Sequence, residues 1–345
     1  MAVKSLAVKY RPTTFEDVVE QDAIKIILNQ QLKTGTIKNA YLFCGGAGTG
    51  KTTCARIFAN ELNQHKGNPI EMDAASNNSV DDIRNITQQA KTKSLESEYK
   101  VFILDECHSL SNTAWQAMLK LIEEPPAKSI FIFCTTDPQK IPKTILSRVQ
   151  RYDFIRISTS GIVARLWTIL DLEGYNDGSY VVDKEPLEYI AKLADGHMRD
   201  AITMLDKCLS YSDDLSIENV VKALGTSDYT VMMNLSDYLL RSDRKGVIRT
   251  IHTLYSDGTD LKQFIKQYLI FVLDVCKYGD CKNFKYLQVP ETKDMKSTFD
   301  RWASNDYHRF MRLLDIVIKL NSDIKWDTNP KSTIEATLIL ACAWE

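Results

Sequence analysis

Tyr41-Leu42-Phe43-Cys44-Gly45-Gly46-Ala47-Gly48-Thr49-Gly50-Lys51-Thr52-Thr53 is the stretch around which the chain is organised. Tyr41 to Cys44 is a short apolar run suited to a buried strand. Gly45 through Gly50, followed by Lys51-Thr52, has the spacing G-x-x-x-x-G-K-[ST] of a phosphate-binding loop. The chemistry explains the spelling. Glycines let successive backbone N–H groups turn inward toward phosphate oxygens, and the helix expected from Lys51 adds its positive dipole end. Gly45, Gly46, Ala47, Gly48, Thr49 and Gly50 would form the cradle, continued by Lys51, Thr52 and Thr53. Lys51 would reach the outer phosphates, and the Thr52 hydroxyl would ligate Mg²⁺. A glycine-rich turn before a lysine by chance would not also meet all four fixed positions between a strand and a helix. The expectation is a nucleoside triphosphate site.

A length of 345 residues suggests two or three domains, and 44% hydrophobic with 26% charged residues describes an ordinary soluble protein with ample core. The net charge of −2 supplies no general pull toward nucleic acid, so any DNA contact must come from a local patch or an enclosed surface. Of the eight cysteines, none forms a C-x-x-C pair and several lie in apolar runs. That pattern reads as reduced, mostly buried thiols. Cys276 and Cys281, the one close pair, have no nearby histidine and are a poor zinc signal. The longest apolar runs, Tyr268 to Leu273 and Leu338 to Trp344, fall far short of the ~20 residues that cross a bilayer. The N-terminus has no signal-type apolar core and no lipidation motif. A cytoplasmic protein with no membrane contact is expected.

Pro12 cannot extend a helix, so residues 1–20 read as an extended arm with a turn. Ile24, Ile27, Leu28 and Leu32 mark an amphipathic helix over Gln21 to Leu32. The phosphate loop leads into a helix to about Leu62; Ile70 to Asp73 reads as a short strand, and Val80, Ile83, Ile86 and Ala90 mark another helix. Val101 to Leu104 is a buried-type strand ending at Asp105-Glu106. Trp115, Met118, Leu119 and Ile122 form a helical core stripe stopped by Pro125-Pro126. Ile130 to Cys134 is a third strong strand, running into Thr135-Thr136. This alternation predicts an α/β domain with a mainly parallel sheet covered on both faces. Ligands of such sheets sit at the carboxyl ends of the strands. The phosphate loop, Asp105-Glu106 and Thr135-Thr136 should therefore converge on one crevice. From about Ser158 short helices predominate: Ile162–Leu172, Pro186–Ala194, Arg199–Tyr211 and Ser216–Leu224. Gly225-Thr226-Ser227 reads as a hinge. Beyond it, helices over 231–240, 246–255, 261–277, 310–320 and 333–343 predict an all-α third domain.

Asp105 is placed to hold Mg²⁺, directly or through water, and Glu106 to polarise an attacking water. Thr135 or Thr136 could bond the γ-phosphate or that water. Arg148, in Ser147-Arg148, falls beyond the sheet edge, poorly placed for its own nucleotide and suited to reach a neighbour's. Arg199, near a helix start, could touch the phosphates.

These segments together resemble one family. Tyr10-Arg11-Pro12, the phosphate loop, Asp105-Glu106-Cys107-His108, Leu121-Ile122-Glu123-Glu124-Pro125-Pro126, Thr135-Thr136-Asp137-Pro138-Gln139-Lys140, Ile145-Leu146-Ser147-Arg148 and Arg199-Asp200-Ala201 are similar to the AAA+ sliding-clamp loader ATPases, bacterial DNA polymerase III gamma/tau subunits in particular. The resemblance is specific over about residues 4–205. It implies an AAA+ P-loop NTPase domain over 1–157, a helical lid over 158–225 and an all-α collar over 226–345 that joins subunits into a pentamer. It implies ATP and Mg²⁺ as cofactors, and other loader subunits, a sliding clamp and primer–template DNA as partners. Clamp loading during replication is the implied function. By the same resemblance Lys51, Glu106, Thr136 (first sensor), Arg148 (trans-acting arginine) and Arg199 (second sensor) are catalytic, and Thr52 and Asp105 serve the metal. Tyr10, Arg11 and Val19 line the adenine pocket. Arg84, Lys91 and Lys120 are candidates for gripping DNA phosphates.

Four departures accompany the resemblance, one of them Val149 after Arg148, where the family usually has cysteine, which leaves Arg148 unaffected. Glu61 to Ile70 is short and lacks the cysteine-rich zinc module usual in the bacterial subunits. Glu20 stands where a glycine is common. The long extension after the collar is absent, a compact form that fits a phage or a minimal replication system. Rival readings are a branch-migration helicase, a phosphate-loop kinase and a non-hydrolysing structural subunit. The water-activating Asp105-Glu106 pair argues against a kinase, and intact Lys51, Glu106 and Arg148 against a passive subunit.

Overall fold

The computed structural model describes residues 4–92, 97–175, 183–224 and 229–343. They fall into two compact units, one comprising residues 1–175 with 194–206, the other 176–193 with 207–345.

The first unit is built on a five-stranded sheet of order β2-β3-β4-β1-β5, with every pairing parallel. The strands are β1 (Ala40–Cys44), β2 (Ile70–Asp73), β3 (Lys100–Asp105), β4 (Ser129–Thr135) and β5 (Gln150–Asp153). β1 and β4 are buried at every position, as strands covered on both faces must be. The edge strands β2 and β5 read differently. β2 alternates between half-buried and exposed positions, and β5, spelled Gln-Arg-Tyr-Asp, buries only Tyr152, which packs against Tyr41 and Phe43. No apolar run marks β5, and the sequence reading did not find it.

Helices α1 (Leu6–Lys9), α2 (Asp22–Thr34), α3 (Lys51–Leu62), α4 (Val80–Lys91), α5 (Asn112–Glu123), α6 (Lys143–Leu146) and α7 (Thr159–Glu173) complete this unit with the first turns of α9. The pleat explains the layering. Tyr41 and Phe43 point to the face covered by Leu28 of α2 and Cys54, Ile57 and Phe58 of α3. Leu42 and Cys44 point to the other, where Ile83 and Ile86 of α4 meet Trp115, Met118 and Ile122 of α5. The helical stripe of α5 is core, as its periodicity predicts. The arm differs from expectation: Leu6–Lys9 forms one helical turn, and residues 11–21 then run without helix to the start of α2.

β4 flanks β1 on one side and β5 on the other, so the order reverses at β1. Cys44 pairs with Thr135 and with Asp153, and Asp73 with Asp105, which aligns the strand ends. A crevice outside the carboxyl ends at such a switch point is the standard ligand position.

Among its described residues the second unit is all-helical: α8 (Lys184–Leu193), α9 (Met198–Tyr211) from Lys207, α10 (Ile217–Leu224), α11 (Tyr229–Leu240), α12 (Arg244–Ser256), α13 (Leu261–Cys281), α14 (Lys293–Asn305), α15 (Tyr307–Asp323) and α16 (Pro330–Ala341). Its core gathers Phe264, Tyr268, Phe271, Phe299, Trp302 and Phe310. α14 was not anticipated, although Met295, Phe299 and Trp302 at i, i+4, i+7 on a Thr292 N-cap carry its signal. The expected hinge Gly225-Thr226-Ser227 lies outside the described residues.

Asp274 of α13 is fully buried, and its Oδ2 accepts from the N–H groups of Gln288 (2.6 Å) and Val289 (3.0 Å). It pins the loop before α14 to the helix. Asp274→Ala should leave two interior donors unpaired and cost ~2–4 kcal/mol in denaturant unfolding, whereas Asp274→Asn, which keeps an acceptor, should cost under ~1 kcal/mol. Burial raises the native pKa of Asp274 above the ordinary carboxylate value, so its contribution is fully present below that ordinary value and is lost as pH rises through the native one. Acidification should therefore move the stability difference between wild type and Asp274→Asn in favour of wild type.

Candidate nucleotide site

The loop after β1 takes its shape from glycine at two close approaches. Gly45 has φ +152°, and a Cβ there would lie 2.6 Å from the Phe154 carbonyl oxygen and 2.8 Å from Phe154 Cβ. Gly48 has φ +66°, with a Cβ position 3.3 Å from the Arg199 nitrogen. The Met198 N–H donates to the Gly48 carbonyl at 3.1 Å, so the start of α9 is laced to the loop.

Lys51 opens α3 and is 6% exposed. Its Nζ donates to the carbonyls of Gly45 (2.9 Å) and Gly46 (2.7 Å). Burial lowers its pKa, opposed in part by the negative charge of Glu106 and Asp105. A buried ammonium held by carbonyls at a helix N-terminus is a strong attractor for phosphate.

Asp105 ends β3. Its Oδ2 accepts from Thr52 Oγ1 at 2.7 Å, and its Oδ1 from the Glu106 N–H at 3.0 Å. Thr52 and Asp105 are hard oxygen donors brought together, a set that suits Mg²⁺ carrying several waters of its own. Glu106 has left-handed backbone (φ +46°), which turns the chain out of the strand into the short 3₁₀ turn Cys107–Ser109. Its Oε2 accepts from Thr136 Oγ1 at 3.0 Å and lies 3.3 Å from His108 Nδ1. His108 Nδ1 is also 3.1 Å from Thr135 Oγ1, which accepts from the Asp137 N–H. The two strand-end threonines thus divide: Thr136 meets Glu106, and Thr135 is buried and shapes the turn. Cys107 is fully buried, and burial pushes its thiol well up, so it is a packing residue. Seven of the eight cysteines are buried; Cys281 is exposed.

A cleft over the loop is lined by Tyr10, Arg11, Val19, Gly48, Thr49, Gly50, Lys51, Thr52, Thr53, Asp105, Glu106 and Arg199, all expected on sequence grounds. Gly45 and Gly46 lie beneath Lys51, and Thr136 stands behind Glu106. The cleft also takes in Ile157, Arg165, Met198 and Ile202, which the sequence reading missed. Arg165 Nη2 donates to the Tyr10 carbonyl at 2.9 Å. Nothing in sequence separates this arginine from other polar positions of α7. Arg148 is not part of the cleft. It follows α6, where its Nε pairs with Glu123 Oε1 at 2.8 Å and its Nη1 donates to the Thr144 carbonyl.

Comparison with known proteins finds similarity to subunits of DNA polymerase III. The family described as DNA polymerase III, delta subunit, matches residues 64–158, and the family described as DNA polymerase III subunits gamma and tau domain III matches residues 215–344. The DNA polymerase III subunit tau of Bacillus subtilis is 35% identical over 99% of this chain and 64% of that protein. The gamma/tau subunit of Mycoplasma genitalium is 31% identical over 82% of this chain and 50% of its own length. The tau subunit of Escherichia coli is 32% identical over 78% of this chain and 44% of its own. The chain thus spans between 44% and 64% of the length of these relatives. Among solved structures, a Thermotoga maritima RuvB Holliday junction branch migration motor aligns with TM-score 0.53 at 19% identity, covering 67% of this chain and 79% of that one. A single-substitution variant of the same RuvB aligns with TM-score 0.54 over the same shares. These likenesses show a shared fold and nothing further.

Proposed function

Since this chain belongs to the family of the DNA polymerase III gamma/tau subunits and carries an AAA+ fold, we propose that it is an ATPase subunit of a DNA sliding-clamp loader. ATP binding would prepare the assembly to load a processivity clamp onto primer–template DNA, and hydrolysis would release it. The observation that carries this reading is the pairing of two adjacent carboxylates with two different hydroxyls. Asp105 is bonded to Thr52 of the phosphate loop, and Glu106 to Thr136 at the end of the next strand.

In this reading Lys51 exchanges its two loop carbonyls for the β- and γ-phosphate oxygens. Thr52 and Asp105 hold Mg²⁺, which supplies charge neutralisation at the phosphates. Glu106 accepts a hydrogen bond from the attacking water and orients it, while Thr136 keeps that carboxylate in place. Arg199 reaches the phosphates from α9, and Tyr10, Arg11 and Val19 take the adenine. Arg148 acts on a neighbouring subunit's nucleotide. Residues 1–157, 158–225 and 226–345 serve as nucleotide domain, lid and collar, and the partners are further loader subunits in a pentamer, a clamp and primer–template DNA. Arg84 pairs with Asp81 at 2.7 Å across an exposed helix face, so recruiting it to a DNA phosphate would break only a weak surface bond.

The test is the ATPase rate of the assembled subunits with and without primer–template DNA and a cognate clamp. Stimulation that requires both is expected. DNA-dependent branch migration or unwinding with no clamp present would contradict the loader reading and favour a motor.

A further inference from the structure

Immediately after Val19, two consecutive side-chain-bearing residues, Glu20 and Gln21, hold left-handed backbone (φ +57° and +55°). Such conformations persist where the surroundings over-determine them. Here both side chains are fully engaged. Gln21 is 4% exposed, and its amide pairs reciprocally with the backbone of Ile155: Nε2 donates to the Ile155 carbonyl at 2.8 Å, and Oε1 accepts from the Ile155 N–H at 3.1 Å. The same Nε2 lies 3.4 Å from the Thr49 carbonyl of the phosphate loop. The Glu20 carboxylate accepts from the Ser158 N–H (3.1 and 3.2 Å) and from the Ser158 hydroxyl. Ser158 in turn caps α7, its Oγ accepting from the Gly161 N–H at 3.1 Å.

The corner therefore grips both ends of Ile155–Ser158, the connector from β5 to α7. That connector adjoins the nucleotide cleft in three ways. Phe154, just before it, sits against Gly45; the Ile157 N–H donates to the Gly196 carbonyl at 3.3 Å, two residues before Met198; and Ile157 itself lines the cleft. Space at the other end is equally tight. A Cβ on Gly161 would lie 2.7 Å from Glu20 Oε1 and 3.1 Å from Val19 Cγ1. Val19 thus has the cleft on one side and the first turn of α7 on the other, and Arg165, one turn further along α7, holds Tyr10 by its carbonyl.

We propose that Glu20 and Gln21 are positioning residues that set the base side of the cleft, Val19, Ile157 and the Arg165-held Tyr10, through the connector. Discrimination between purine bases then depends on the Glu20–Ser158 contact, although neither residue lines the cleft. This proposal rests on the reading of the cleft as a nucleotide site. Glutamine at position 20 would keep the shape and lose the charge, while glycine would accept the left-handed backbone freely and lose the side chain altogether.

The test is fluorescence titration of the full chain with N-methylanthraniloyl ATP and GTP, alongside thermal midpoints, for wild type, Glu20→Gln, Glu20→Gly, Ser158→Ala and the double variant Glu20→Gln/Ser158→Ala. Weakening of ATP by about fivefold in each single variant, with GTP changed less and the ATP:GTP ratio reduced, is expected. The double variant should lose little beyond the singles, because both weaken the same Glu20–Ser158 contact. Wild-type affinities and ratio in Glu20→Gly and Ser158→Ala, with or without a lowered midpoint, would show the corner to be scaffolding and overturn the proposal. A wild-type chain that binds neither nucleotide would overturn the nucleotide reading itself.

Discussion

Lys51→Ala should abolish ATP binding, while Glu106→Gln should bind ATP close to the wild-type level and lose hydrolysis by ~10²–10⁴-fold. The two outcomes differ because the groups differ in what they meet. Lys51 is a buried ammonium whose partners are the Gly45 and Gly46 carbonyls of the loop meant to hold phosphate. Removing it leaves those carbonyls facing an incoming polyanion with no compensating charge, so the loss falls on binding. Glu106 stands one residue past the Asp105–Thr52 pair and is held by Thr136. Glutamine there retains size and an acceptor for Thr136 but cannot take a proton from water, so the loss falls on turnover. Equilibrium titration and steady-state phosphate release on the same preparations separate the two. Turnover at the wild-type rate in both variants would refute the site.

Arg148→Ala should leave each subunit's own ATP affinity unchanged and lower the ATPase of the assembly by ~10³-fold. In the single chain Arg148 lines no part of the cleft; it is tied to Glu123, the Thr144 carbonyl and the Ser147 hydroxyl on a half-exposed surface. An exposed ion pair of this kind contributes ~0–1 kcal/mol, so exchanging Glu123 for a neighbour's phosphate is energetically easy. Glu123→Gln, which frees the guanidinium without touching the cleft, should leave assembly ATPase at or above the wild-type rate. Binding assays on dilute monomer and rate measurements on the assembly distinguish the cases; a fall in the monomer's own ATP affinity in Arg148→Ala would place the arginine in cis.

Much of this fold was legible because its central strands are continuous apolar runs. Tyr41–Cys44, Val101–Leu104 and Ile130–Cys134 are buried on both faces, and the residues that follow them are the ones the proposed site uses. Lys51, Thr52, Asp105, Glu106 and Thr136 are brought together as the strand-end argument requires. What escaped the sequence reading lies where the local signal is weak. β5 has one buried residue in four, because an edge strand needs only one anchor. α14 embeds Met295, Phe299 and Trp302 in a charged segment whose period is easily lost. The Glu20–Gln21 corner is invisible because left-handed backbone is expected of glycine or asparagine. The left-handed φ at position 20 also accounts for the departure noted there: the position favours glycine, and glutamate occupies it with its carboxylate fastened to Ser158. Arg165 and Ile157 reach the cleft only through tertiary packing, and no spacing in the sequence foretells it.

The central claim is that one subunit cradles the nucleotide and its neighbour completes the hydrolytic machinery. Mixing Lys51→Ala with Arg148→Ala in one assembly tests this most directly, since each variant alone is inactive for a different reason. In a mixed assembly some interfaces pair an intact Lys51 cleft on the Arg148→Ala subunit with an intact Arg148 on its Lys51→Ala neighbour. ATPase activity should therefore reappear on mixing and depend on the mixing ratio. Mixed assemblies, verified as such by differential labelling, that stay as inactive as either variant alone would contradict the account.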